Sequence, residues 1–305
     1  MFVRCISRCA LAAALLVLPC PAFPQPLAPE LMLQPGETRS IPARRWVFSR
    51  VSIPIGAVLE VEQGSGEVMQ FIVLGDFDLQ GSIVARGWSS EEVTHRLTMP
   101  DGRFLDVSFQ NRNRGGNGGD GALAAGALGG RGARGSVDYG GGGGGGGAWA
   151  SDRQGKPGNV NGASAQDERG APRVIAWCGV GGANGATRDP FANGGVIYLE
   201  VNGRFNGAGG QIDLRGKDGV AGASGPRASR YDTNCAAGSG GAGGGAPGGQ
   251  GGVVVGYIAG PAAAYPTLRM QGGAGGPPGT TAPEATTALE GQPGRAGWVQ
   301  WNPGR

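Results

Sequence analysis

Residue types able to do acid–base, nucleophilic or metal chemistry are thinly spread in this chain. The single histidine, His95, lies in the polar connection Glu91-Glu92-Val93-Thr94-His95-Arg96, where a solvated ring is expected. Neither G-x-S-x-G nor H-E-x-x-H occurs, so the common hydrolase signatures are missing. Asp76/Asp78 and Asp213/Asp218 are pairs of the kind glycoside hydrolysis needs, since two carboxylates suffice. Asp76 and Asp78 share parity on a strand, which equally describes the polar outer face of a sheet. Gly116–Gly121 satisfies G-x-G-x-x-G, but a dinucleotide site needs a helix behind that turn, and no helical period follows. Gly115–Leu123 approaches the calcium nonapeptide G-G-x-G-x-D-x-U-x, with Ala122 where a large apolar residue belongs and only one copy. The sequence therefore assigns no catalytic residue, no metal site and no cofactor.

Aromatic and sulfur chemistry remain. Sugars stack on exposed Trp and Tyr rings, and Trp88 and Trp149 lie at a strand end or in a glycine tract, making them the candidate ligand-stacking aromatics. Trp298 and Trp301 are expected to cap the end of a core. Cys178 and Cys235 are the candidate disulfide. Paired, they would close a loop of about 57 residues and add about 2–4 kcal/mol; the alternative is two thiols in separate loops. Zinc is disfavoured, because it wants four ligands and one histidine is present.

Residues 1–22 have the layout of a secretory signal peptide: Arg4 and Arg8, the apolar run Ala10–Leu18, then Cys20 and Ala22 at −3 and −1. Pro19 before Cys20 departs from a lipobox. The expectation is an exported product, extracellular, on the cell surface or periplasmic, with no transmembrane segment in the mature chain. The formal charge of +3 falls to +1 without the leader arginines, with 23 acids interspersed among the bases. That balance excludes nucleic acid as a partner, and Asn111–Gly116 and Arg131–Gly135 are read as solvated loops rather than RNA-binding RGG segments.

The elements that would position any such residue are strands. Trp46–Val51, Val58–Glu62, Val68–Asp78, Ser82–Arg86 and Phe104–Phe109 are rich in Val, Ile and Phe. Turn formers such as Pro54-Ile55-Gly56, Gln63-Gly64-Ser65-Gly66 and Pro100-Asp101-Gly102 separate them. Eight of the 65 glycines precede residue 115 and the other 57 lie from Gly115 onward. In that second part short apolar strands alternate with the tracts Gly115–Gly147, Gly179–Gly195, Lys217–Gly251 and Gly272–Gly294. There is no strict Gly-X-Y period, which excludes collagen. Val196–Val201 repeats at an offset of 56 in Gly252–Tyr257, and Ile212 falls on Leu268 at the same offset. Strand–turn–strand units at a fixed offset suggest stacked coils. A β-sandwich also fits, and the repeat favours the coils.

The expected fold is all-β: a small β-solenoid, β-helix-like, with long Gly-rich excursions leaving from one corner. Those excursions are either disordered or ordered as polyproline-II-like strands side by side, which Gly allows because backbones without Cβ approach closely. The expected organisation is a signal peptide at 1–22, an N-terminal β region with the first coils at 23–114, and a Gly-rich β-solenoid region at 115–305.

The text of Gly194–Gly225 and Gly251–Gly276 resembles that of glycine-rich bacterial surface and secreted β-solenoid proteins, including adhesin-like passengers, by cadence and composition. Phage adhesins with packed polyglycine-II tracts are similar in composition. The resemblance implies a non-catalytic structural or adhesive role, with a surface polysaccharide, another surface protein or a second copy of the chain as partner. One alternative is a carbohydrate-active enzyme or carbohydrate-binding protein on a β-helix. The other is an ice or crystal-surface binder, which needs regularly spaced Thr that this chain does not show.

Overall fold

The computed structural model describes residues 28–64, 66–89, 94–108, 113–121, 132–143, 182–227, 239–281 and 287–303. The leader, Trp149, Cys178 and Cys235 lie outside these residues. Among the described residues the chain is all-β, with eighteen strands and no helix.

Three sheets, A, B and C, each built on a path of five parallel strands, are visited in rotation; sheet B carries a sixth, short strand antiparallel to its middle strand. The first circuit is β1 (Glu30–Met32) in sheet A, β2 (Thr38–Pro42) in B and β3 (Arg45–Phe48) in C. The second is β4 (Arg50–Ile53), β5 (Val58–Glu62) and β6 (Met69–Val73). The third starts with β7 (Phe77–Leu79) and β8 (Ser82–Trp88). It then detours through the antiparallel hairpin β9 (Thr94–Thr98) and β10 (Phe104–Ser108), and through β11 (Asn193–Gly194), before closing with β12 (Val196–Val201). The fourth is β13 (Phe205–Asn206), β14 (Gln211–Asp213) and β15 (Val253–Ile258). The fifth is β16 (Ala262–Ala264), β17 (Thr267–Arg269) and β18 (Trp298–Pro303). Each strand lies parallel on its counterpart one circuit earlier. The pairings β6 with β12 and β8 with β14 carry the sheets past residue 114 without a break.

Local chemistry explains where the chain bends. At the corner from sheet A to sheet B, Gln34–Glu37, Pro54–Ala57 and Gly207–Gly210 each close a four-residue turn with an N–H···O bond of 3.0 Å. The third residue of each turn, Gly36, Gly56 or Gly209, has φ between 77° and 79°, the type II geometry that requires glycine there. The corner from sheet C to sheet A is tighter. It divides three stretches that look continuous in sequence: Trp46–Val51 at Ser49, Val68–Asp78 at Leu74-Gly75-Asp76, and Gly195–Phe205 at Asn202-Gly203-Arg204. Turn formers such as Asp76 and Asn202-Gly203 stand at two of these bends, but the apolar residues on both sides make each stretch read as one strand.

Inside the three sheets an aromatic spine runs the length of the stack. Trp46 lies 5.8 Å from Phe48, Phe48 6.0 Å from Phe71, Phe71 6.4 Å from Phe77 and Phe77 5.6 Å from Phe205. Phe205 then meets Trp301 at 6.0 Å. Trp301 packs against this core from the last strand, while Trp298 is partly exposed. Burying each such side chain contributes about 1.5–3 kcal/mol. The outer face of sheet C is apolar too: Val196, Tyr198, Val253 and Val255 pack under Leu97 and Val107 of the hairpin. Parallel strands covered on both faces read as unbroken apolar runs rather than alternation. That removes the register signal. Val196 pairs with Val253, 57 residues on, and not at the expected offset of 56, whereas Ile212 does pair with Leu268.

Candidate functional site: a glycine bundle and its polar border

Every long glycine-rich detour leaves a sheet B strand (β8, β14 or β17) and re-enters sheet C at β12, β15 or β18. The detours converge. Segment 239–252 runs through the middle and is buried throughout. Its N–H groups at 243, 246, 249 and 252 donate to the carbonyls of 223, 220, 217 and 214, an antiparallel neighbour. Those at 245, 248 and 251 donate to 289, 292 and 295, a parallel one, and Gly244 donates to Gly141. Its carbonyls accept from Gly273, Gly276 and Gly279, from Gly116 and Gly119, and from Ala183 and Ala186.

Among the described residues, then, six segments surround one. The ring also closes on itself. Gly216, Gly219, Gly222 and Gly225 donate to 271, 274, 277 and 280; Gly291 and Gly294 donate to 276 and 273; Leu289 and Gln292 donate to 117 and 114. Gly141 donates to Gly116, Gly140 and Gly143 to 186 and 183, and Lys217 to Ala192. Donors recur every third residue, so successive residues face neighbours about 120° apart. A Cβ on Gly243, Gly244 or Gly245 would collide with the carbonyl of Asn184, Gly116 or Gly276, three different segments. Glycine is required here because backbone meets backbone on every side.

Polar side chains fasten this bundle to the sheets. Gln63 is 2% exposed and substitutes for a strand at the point where β12 returns. Its Nε2 donates to the Val196 carbonyl at 2.6 Å and its Oε1 accepts the Val196 N–H at 2.8 Å, across 133 residues of sequence. Asn193, fully buried, donates to the Ser89 carbonyl at 2.8 Å and accepts from the Arg188 guanidinium at 2.7 Å and from the Gln250 N–H at 3.0 Å. Burial pulls the Arg188 guanidinium below its ordinary pKa, opposed by the charges of Asp138 and Asp189. On the outer face of sheet B, Asp213 is held by Arg86 Nη2 at 2.8 Å and Arg215 Nη2 at 2.7 Å. Burial alone would raise the Asp213 carboxyl; hydrogen bonds from Arg215 and then Arg86 outweigh it and hold the group down to about 2.

The residues singled out by sequence are placed as follows. Trp88, expected as an exposed stacking platform, is fully buried beneath the hairpin, its ring 4.9 Å from that of His95, and offers no face to a sugar. The apolar face that the hairpin brings over sheet C claims it. Trp149, Cys178 and Cys235 fall outside the described residues, so the second stacking aromatic and the disulfide have no geometry here. His95 is half-buried rather than solvated, and burial pulls its pKa down. Asp76 accepts the Arg204 N–H at 2.9 Å, and Asp78 accepts from Asn206 Nδ2 at 2.9 Å and from Gln80. Asp218 accepts the Ala274 N–H at 2.7 Å, so it stitches two bundle segments while Asp213 grips arginines. Asp120 accepts the Gly132 N–H in the same manner. No group of three or more potential metal ligands occurs among the described residues.

Gln63, Asn193 and Arg188 were not signalled by sequence. Gln63 stands among turn formers, and the other two stand in a glycine tract, where nothing local marks burial. No family model matches the chain, and no curated protein or solved structure matches it either.

Proposed function

We propose that the chain is an exported, non-catalytic structural or adhesive protein. Its body is a β-solenoid of five three-sided coils, and one corner of it carries a bundle of polyproline-II-like glycine helices. The three-residue recurrence of bundle donors is the period of that helix. A polyproline-II helix has no internal hydrogen bonds, so only lateral packing orders it. The six-around-one enclosure of segment 239–252 carries this reading. It orders the described glycines of the late tracts into a stiff body with little side-chain chemistry. Asp213 is poorly suited to be the acid catalyst of a hydrolysis, which needs a raised pKa, because its guanidinium partners hold its carboxyl low.

Export follows from the leader at 1–22, and a Cys178–Cys235 disulfide would suit the oxidising compartment outside the membrane. Among the described residues no helix is long and apolar enough to cross a membrane. The partner is a surface polysaccharide, another surface protein or a second copy of the chain, met by a rigid outer surface rather than a closing pocket. The mature protein, coated on beads, is expected to hold them on glycan-bearing or cell-wall surfaces under flow without releasing reducing ends. Hydrolysis of a polysaccharide, or no retention on any surface, would overturn the reading.

A further inference from the structure

The outer face of sheet B ends in a row of guanidiniums at the corner where the glycine detours leave. Arg86 closes the outward side of β8, Arg215 follows β14, and Arg269 ends β17. Asp213, whose cross-strand neighbour on β17 is Arg269, sits among them with its side chain only 5% exposed. Arg86 and Arg215 both bind the Oδ2 atom of Asp213, at 2.8 and 2.7 Å, which fixes two guanidiniums side by side. Their side chains nevertheless stay 42% and 43% exposed. Among the described residues Arg86 spends only Nη2 and Arg215 only its backbone N–H, Nε and Nη2 on that carboxylate, so the remaining N–H groups of both forks are available to a ligand. Arg269 is exposed and makes no side-chain ion pair among the described residues.

One buried carboxylate thus organises two arginines, and a third stands one rung away with its charge unspent. Glu62, beside Arg86 on β5, and Asp218, near Arg215, are the other acids at this end. Arginine forks fixed in place favour planar oxyanions, because less rotamer freedom is lost for each hydrogen bond formed. The spacing of adjacent strands, about 4.8 Å, lets neighbouring guanidiniums share one carboxylate or sulfate group or take successive ones along a chain.

We propose that Arg86, Arg215 and Arg269 form a binding site for the carboxylate or sulfate groups of an anionic polysaccharide, with Asp213 as the positioning residue that holds Arg86 and Arg215 in place. This rests on the surface-attachment reading above and names the chemistry of its partner.

The test measures retention of the mature full-length protein on immobilised polygalacturonate, dextran sulfate and neutral dextran as salt is raised. Retention is expected on an anionic matrix and not on neutral dextran; the matrix that retains it identifies carboxylate or sulfate as the source. Arg269→Gln leaves the Asp213 clamp intact and is expected to weaken retention about tenfold with a shallower salt dependence. Arg103→Gln, an arginine paired with Asp101 in the hairpin that covers sheet C rather than on the outer face of sheet B, serves as the control and is expected to change nothing. Equal retention by Arg269→Gln and the parent, or equal retention on neutral dextran, overturns the site. Retention on neutral glycans alone would overturn the anionic site and leave the attachment reading standing, whereas no retention on any surface would remove both.

Discussion

At the scale of single residues, the informative side chains are buried polar groups that do the work of backbone. Gln63 offers Val196 a donor and an acceptor in the arrangement a strand would. Asn193 links the sheet end at Ser89 to the bundle at Gln250. Asp213 has a measurable pH signature. Its carboxyl is ordinarily near 3.8 and is lowered to about 2 in the folded chain. A lowered folded pKa means the native state binds the proton less readily than the unfolded chain does. The stabilisation is therefore fully present above about pH 4 and is lost as pH falls through about 2. Urea midpoints measured between pH 5 and pH 2 are expected to fall more steeply for the parent than for Asp213→Asn. The variant is expected to be the less stable of the two at pH 7, where two half-exposed guanidiniums have lost their anion. Parallel pH profiles in parent and variant would show that the clamp does not act this way.

At the scale of elements, strands and glycine segments are ordered by different forces. The strands are held by apolar burial along the Phe71–Phe77–Phe205 spine. The glycine segments have almost no apolar side chains to bury and depend on lateral hydrogen bonds, each worth about 0.5–1.5 kcal/mol net. That dependence makes substitution sharply position-specific. Gly244→Ala puts a methyl group into the Gly116 backbone on one side of the enclosed segment and is expected to cost several kcal/mol or to prevent folding. Gly64→Ala, at a site with nothing within 4 Å of the new methyl group, is expected to be neutral or to stabilise by about 0.4–1 kcal/mol. Denaturant midpoints of the two variants decide the matter, and comparable effects would show that the bundle is not packed. The turn at Gly56 and the hairpin turn around Gly102 could be read from sequence, because positive φ leaves a mark in residue type. Asp76 and Asn202-Gly203 carry turn-forming residues at two of the tighter bends, whereas the bend at Ser49 is disguised by the apolar residues around it.

At the scale of the whole molecule, the bundle draws on three successive circuits. Segments 113–121, 132–143 and 182–194 come from the third, 214–227 and 239–252 from the fourth, and 270–281 and 287–297 from the fifth. Segment 239–252 can acquire all six neighbours only after those circuits are stacked. Sheets and bundle should therefore open together rather than as separate units. Hydrogen exchange is expected to protect the amides of residues 243–252 about as strongly as those of β12 and β15. Rapid exchange in 243–252 beside protected strands would mean that the glycine segments unfold on their own. The same dependence explains why the boundary in composition near residue 115 is not a boundary in structure: β6 pairs with β12 across it.

Read alone, the sequence determined the all-β character, the strand–turn–strand cadence and the poverty of catalytic chemistry. Val and Ile runs, turn glycines and the lone histidine are local facts, visible in residue type and spacing. The tertiary structure decided what the glycines are for and where the rare polar residues act. A glycine facing a carbonyl from another circuit has the same sequence signature as one facing water. Trp88 could be assigned to the core only once the hairpin lay over it. Likewise Arg86, Asp213 and Arg215 become one cluster only when β8 and β14 are laid side by side, 127 residues apart in the chain but one strand spacing apart in space.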